Sequence, residues 1–295
     1  MRLFSKIYPI EVITFTWILI TSIYINLFPH CLNFTTEHHL IRDRFLIVGS
    51  FAVLFILHQQ TKWSLFAAIR QIWPFFLIMY WYPETYYYNQ EFFRNIDPLL
   101  IHADQWLCGF QPSTMFSVWF SAPWFAELMN FSYISFYMAL FFTLTYFFIV
   151  NREKSYFAAF VLLNAFFLYY AFYIFLPAEG PQFFVCHEPA NALPITGFMR
   201  RFLLFTQSLG EVPNGAFPSS HVGAMTTYMI LFWFHDRKVF WWILPFSILL
   251  AMSTVYIKAH YFIDVIVGFA LAFPFYFYSV WLWKRLNYWL HLSRL

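Results

Sequence analysis

Charge is scarce in this chain. Asp, Glu, Lys and Arg together make up 11% of its 295 residues, against about 25% in an ordinary soluble domain. With 61% of its residues hydrophobic, it carries more apolar surface than one water-facing globule hides, which excludes a soluble enzyme. Disorder is excluded as well, because an unfolded chain needs low hydrophobicity and high charge, and Phe alone occurs 43 times. Basic residues are scattered and the formal net charge is only +3, so no nucleic-acid partner is expected. Cysteine is limited to Cys31, Cys108 and Cys186, with no Cys-x-x-Cys and no Cys/His zinc spacing. A single disulfide and three buried thiols both remain open. Internal repeats and low-complexity segments are also missing.

What is present is oil in long runs, with a mean hydropathy of +0.60. A helix crossing the hydrocarbon needs about 20 mostly apolar residues, and apolar runs lie near 10–28, 45–58, 65–82, 127–150, 156–176, 218–234, 240–257 and 262–283. The pattern predicts an all-α, polytopic transmembrane helix bundle of about six to eight spanning helices, in a single integral membrane domain over 1–295. The second run is short and the third holds Arg70 and Pro74, so these two depart most from a spanning helix. The first follows Arg2 and Lys6 but is long and lacks a small-residue cleavage site, and reads as an anchor. Between 83 and 126 the chain turns polar and aromatic, from Tyr86-Tyr87-Tyr88 through Asp97 and Asp104 to Trp124. Interfacial helices in the headgroup layer are expected there, with the two Asp residues solvated or capping.

If the runs alternate across the bilayer, one side receives Arg2, Lys6, Lys62, Arg152, Lys154, Arg237, Lys238, Lys284, Arg285 and Arg294. The other receives fewer basic residues and most of the acids, including Glu84, Asp97, Asp104, Glu179 and Glu211. The positive-inside rule then predicts cytoplasmic termini and acidic loops facing periplasm, lumen or exterior.

Chemistry concentrates between 177 and 264. Four of the eight glycines (Gly180, Gly197, Gly210, Gly215) and five prolines lie in the outward loop after the fifth run, and a loop that long usually has a task. It ends in Phe217-Pro218-Ser219-Ser220-His221, a helix-start signal whose free N–H groups suit an anion such as phosphate. A second cluster, Lys258-Ala259-His260-Tyr261-Phe262-Ile263-Asp264, joins the last two runs. On a continuous helix His260 and Asp264, four apart, share one face, and the carboxylate reaches the imidazole. The 39-residue separation of His221 and His260 (260 minus 221) spans an inward helix, a turn near 235–238 and an outward return of about 26 Å per leg, bringing both histidines to one outer face.

These two segments resemble the second and third signature motifs of the type 2 phosphatidic acid phosphatase superfamily. The Pro-Ser-x-His and Lys-x-His-Tyr-x-x-Asp forms are most similar to its inositol phosphorylceramide synthase-like branch. The resemblance implies a catalytic core over approximately 127–283 and a membrane lipid-phosphate phosphatase or phosphotransferase. His260 would be the nucleophile that becomes phosphohistidine, Asp264 would orient and charge-balance it, and His221 would protonate the leaving oxygen. Ser219, Ser220 and Lys258 would bind the phosphate, with Arg200 and Arg201 behind them, and no metal or other cofactor is implied. A phospholipid, sphingolipid or isoprenoid phosphate would be the substrate, drawn from the surrounding membrane lipids. Two departures stand out: Thr254 follows Ser253 where the family commonly has Arg, and Gln182 in Pro177-Ala178-Glu179-Gly180-Pro181-Gln182 occupies the place of a first-motif base. A metal-dependent membrane hydrolase using His221, His260 and Asp264 as zinc ligands, and a non-enzymatic lipid or proton transporter, are the alternatives.

Overall fold

The computed structural model describes residues 7–28, 34–61, 63–89, 92–185 and 197–292. Among the described residues every regular element is helical, as lipid demands of a chain that must satisfy its own backbone. In order these are α1 (Pro9–Leu27), α2 (Phe34–Thr61), α3 (Ser64–Phe76), α4 (Ile78–Glu84), α5 (Asp97–Cys108), α6 (Pro112–Trp119), α7 (Pro123–Val150), α8 (Arg152–Phe175), α9 (Pro181–Phe184), α10 (Phe198–Ser208), α11 (Ser220–His235), α12 (Arg237–Tyr256) and α13 (Phe262–Leu292), with a turn of 3₁₀ helix over Thr85–Tyr88. Prolines in the first turn open α1, α5, α6, α7 and α9, where the missing N–H costs nothing.

Among the described residues five helices, α1, α7, α8, α12 and α13, are long and apolar enough to cross a membrane. The expected six to eight drew also on the second, third and sixth runs. α11 follows the sixth run but has 16 residues, about 24 Å at 1.5 Å per residue. The second run lies within α2, whose first half carries Glu37, Arg42, Asp43 and Arg44. The third divides into α3 and α4 near Pro74, a residue that breaks the helical hydrogen-bond ladder. The interfacial helices expected between 83 and 126 are α5 and α6.

α8 is the axis of the bundle. It packs against α7, α11 and α13 and also against α1 and α3, and its residues from Ala158 to Leu163 are wholly buried. Outer helices turn Leu19, Ile20, Phe141, Ile149, Trp242 and Phe277 outward, an apolar belt suited to acyl chains. Two buried arginines are paired: Arg70 meets Glu11 through two 2.7 Å hydrogen bonds, and Arg44 meets Glu84 at 2.6 and 3.2 Å. Arg70 therefore sits in α3 with its guanidinium matched, not stranded.

At one end Asn151 caps α8 and Asp236 caps α12 while also accepting a hydrogen bond from Tyr146. At the opposite end the loops after α8, α10 and α12 converge with α5 and α6: Ala216 N–H donates to the Ala178 carbonyl at 3.1 Å, Gln182 N–H to Lys258 at 2.8 Å and Ile96 N–H to Pro177 at 2.9 Å. Cys108 is a free thiol; Cys31 and Cys186 lie outside the described residues.

Candidate active site

The start of α11 is fixed by its neighbours. Ser219 is extended (φ −61°, ψ 104°) and its hydroxyl accepts from Val222 N–H at 3.4 Å, an N-cap that satisfies one orphan amide. Its own N–H donates to the Asp264 carbonyl of α13 at 3.1 Å. Gly268 permits this approach, because a Cβ there would lie 2.4 Å from the Ser219 carbonyl oxygen. From α8, the Tyr173 hydroxyl accepts the Ser220 N–H at 3.2 Å and donates to the Pro218 carbonyl at 3.3 Å. Ser219 and Ser220 are both buried at this joint.

His260 lies between α12 and α13. The chain leaves α12 through Lys258, whose φ of +68° is left-handed, a conformation costly for a side chain with a Cβ. That turn lets His260 N–H return to the Thr254 carbonyl at 3.1 Å. Opposite it Gly180 has φ +90°, and a Cβ there would lie 2.8 Å from the Ala259 carbonyl oxygen. The His260 ring is buried, and its Nδ1 lies 2.7 Å from the Ala216 carbonyl oxygen. A carbonyl only accepts, so Nδ1 carries the proton and Nε2 keeps the lone pair. Burial pulls the ring's pKa down to about 4, against the opposing pull of the Ala216 bond, and the imidazole is neutral at pH 7.

Asp264 occupies a different place from the one its spacing suggests. α13 begins only at Phe262, so His260 precedes the helix. Asp264 Oδ2 accepts Tyr261 N–H at 2.7 Å and stands 3.7 Å from His260 Nδ1. It is near enough for charge interaction, but the ring is oriented by Ala216. The other carboxylate oxygen, Oδ1, is buried with no hydrogen-bond partner among the described residues.

His221, in the first turn of α11, packs its ring on Tyr133 and Phe136 of α7, with centroids 4.7 and 4.6 Å away. Its Nδ1 lies 3.5 Å from His260 Nε2. The two histidines thus share one depth and face each other. Lys258 is buried two residues before His260. Arg200 and Arg201 begin α10, where Glu127 of α7 accepts the Met199 and Arg200 amides at 2.9 and 3.2 Å.

Gln182 donates from its side chain to Glu211 and accepts from Gln207 at 3.3 Å. Burial pushes the Glu211 carboxyl up to about 7, partly offset by bonds from Gln182 and Gln207 and by the Arg200 charge. An amide and a carboxyl therefore stand where a first-motif base was expected.

Sequence reasoning passed over three features here: the Ala216 carbonyl, the Tyr173 hydroxyl, and the α5 pair Asp97 and Asp104. Both acids are wholly buried, not solvated. Asp104 does cap, but it caps α13 from another helix, accepting Phe262 and Ile263 N–H at 2.9 and 2.8 Å. Their seven-residue spacing, two turns of one helix face, was the available signal. No group of three or more His, Cys, Asp or Glu suited to a metal ion occurs among the described residues; Asp264 lies on the Nδ1 side of the His260 ring and His221 on its Nε2 side.

A family model described as PAP2 superfamily matches residues 98–277, from the first turn of α5 into α13 and well over half of the chain. A search of curated proteins and a search of solved structures each gave no match.

Proposed function

Because this chain belongs to the PAP2 superfamily, we propose that it is a membrane lipid-phosphate phosphatase or phosphotransferase working through a phosphohistidine. Membership supports a phosphatase-type activity, and phosphorylated lipids are the substrates best matched to a bundle with an apolar belt. The single observation that carries the mechanism is the facing pair of imidazoles, His260 Nε2 to His221 Nδ1 at 3.5 Å.

The lone pair on His260 Nε2 attacks phosphorus as the bond from phosphorus to the leaving oxygen breaks, and that oxygen takes a proton from His221, which burial holds neutral with its pKa down to about 3 and which therefore acquires that proton together with the anionic substrate. Asp264, 3.7 Å from the far side of the ring, balances the positive charge of the phosphorylated imidazole. Water or an alcohol then attacks phosphorus, gives its proton to His221, and the P–N bond breaks to restore His260. Ser219, Ser220 and Lys258 hold the phosphoryl oxygens where negative charge grows. The reading of a branch similar to inositol phosphorylceramide synthase rests on the Pro-Ser-x-His and Lys-x-His-Tyr-x-x-Asp forms, and its substrate would be a phospholipid, sphingolipid or isoprenoid phosphate.

The same reading treats residues 1–295 as one integral membrane domain with its catalytic core at approximately 127–283. It puts the termini in the cytoplasm and the histidines at the outer face, because the basic loops Arg152–Lys154 and Arg237–Lys238 belong to the opposite end. Purified protein incubated with ³²P-labelled lipid phosphate should trap an acid-labile, base-stable phosphoprotein that is absent in His260→Ala. Label retained on the His260→Ala chain, or full turnover by it, overturns the assignment. Adding a lipid alcohol acceptor separates the two activities: free phosphate marks a hydrolase, a phosphorylated acceptor a transferase.

A further inference from the structure

α5 lies outside the five apolar spans, yet two of its side chains hold the segment carrying the nucleophile. Asp97 and Asp104 stand seven residues apart, about 10 Å along the helix, and share one face with Leu100, all three buried. The opposite face exposes Leu99 and Trp106. Asp97 accepts three hydrogen bonds: Glu179 N–H at 2.7 Å, Gly180 N–H at 2.8 Å and the Tyr261 hydroxyl at 2.7 Å. Asp104 accepts Ile263 N–H on Oδ1 at 2.8 Å, Phe262 N–H on Oδ2 at 2.9 Å, and Gln111 Nε2 on Oδ2 at 3.1 Å.

The three residues that follow His260 are thus each tied to α5, two through the backbone and one through the Tyr261 hydroxyl. On the other flank Gly180, held by Asp97, packs against Ala259, and Gln182 N–H holds the Lys258 carbonyl at 2.8 Å. Lys258 sits in a left-handed turn, so the 258–263 segment needs outside restraint to keep its shape. Burying a carboxylate is costly unless both of its oxygens are hydrogen-bonded. Asp104 shows why an acid is needed, since two backbone amides meet two different oxygens. Asparagine offers one acceptor oxygen and would turn its NH₂ against the second N–H.

We propose that Asp97 and Asp104 are positioning residues of this active site, which set His260 against His221 and the Ala216 carbonyl by fixing the backbone on both flanks of the nucleophile. The inference rests on the assignment of His260 as the phosphoryl acceptor.

The test uses orthovanadate, which forms a five-coordinate adduct with a well-placed imidazole, as the probe of full-length protein in detergent. Affinity is read by titration and the adduct by its ⁵¹V NMR signal. Asp97→Asn and Asp104→Asn are expected to weaken vanadate at least tenfold and to shift or broaden the bound signal. Arg70→Met, which breaks the buried ion pair between α3 and α1, should lower the Tm while keeping the affinity and signal of the unaltered protein. Equal loss in Arg70→Met and the Asp variants at matched Tm shows mere structural support and overturns the proposal. If neither Asp variant folds, Tyr261→Phe decides, since it removes one donor to Asp97 and keeps its shape. A three- to tenfold loss of vanadate affinity supports the proposal and unchanged affinity overturns it. Failure of the underlying assignment looks different: the unaltered protein gives no adduct, or His260→Ala still forms one.

Discussion

His260 is held by the Ala216 carbonyl at 2.7 Å while its free Nε2 looks across 3.5 Å at Nδ1 of His221. A phosphorus in attacking range stands about 3–3.5 Å from the nucleophile, with its leaving oxygen a further hydrogen bond of about 2.8 Å from the acid. At 3.5 Å Nε2 is directed at His221 Nδ1, so this contact must open for its lone pair to reach phosphorus. His260 is buried and anchored, whereas His221 is half-buried and leans on Tyr133 and Phe136. His221 is therefore the ring that moves. A structure with bound vanadate should show the two nitrogens farther apart than 3.5 Å with the Ala216 bond intact; an unchanged gap contradicts this order of events.

The acid role of His221 predicts a dependence on the leaving group. His221→Gln should slow release of an ordinary lipid alcohol by about 10²–10⁴-fold, the usual worth of general acid catalysis. An activated ester whose leaving oxygen needs no proton should lose far less. Rates measured for both esters in the same preparation check it, and equal loss for the two removes the acid assignment.

Two groups beside the site bend stability in opposite directions with pH. Glu211 is pushed from its ordinary 4.5 up to about 7 by burial, so the folded chain holds that proton more tightly than the unfolded one. Its contribution is complete below about 4.5 and is lost as pH rises through about 7. His260 is lowered by burial from 6.5 to about 4, so its contribution is present above 6.5 and is lost as pH falls toward 4. Tm measured in detergent across pH 4 to 9 should flatten on the alkaline side in Glu211→Gln and on the acid side in His260→Gln. Unchanged curves would refute the corresponding shift.

The buried Arg70–Glu11 pair lies outside the family match, and its loss should touch stability before catalysis. Removing one partner of a buried ion pair costs about 3–5 kcal/mol, whereas replacing both with apolar residues is often near neutral. Arg70→Met should lower the Tm sharply and Arg70→Met with Glu11→Leu should recover most of it. Turnover per folded molecule should stay level throughout, as kcat measured on monodisperse fractions will show.

The parts of this molecule legible in its sequence are those set by transfer free energy. The runs near 10–28, 127–150, 156–176, 240–257 and 262–283 correspond to α1, α7, α8, α12 and α13 because apolar length is read directly from a sequence. The meeting of His221 with His260 followed from helix rise and one turn. The His260–Asp264 relation assumed an unbroken helix, and the left-handed turn at Lys258 postpones α13 to Phe262. The group that orients His260 is a backbone carbonyl, which has no letter in a sequence. Asp97 and Asp104 looked ordinary for the converse reason: burial of an acid depends on which amides another element brings to it. Arg70 counted against its run until Glu11, 59 residues away, proved to be its partner.

The joint between the motifs is made by main chain: Ser219 N–H meets the Asp264 carbonyl, and Gly268 admits the approach. Exchanges among the acyl-facing side chains of α12 and α13 leave that seam untouched. The exterior is thereby free to suit bilayers of different thickness or composition while the main-chain joint between the two histidine-bearing segments stays the same.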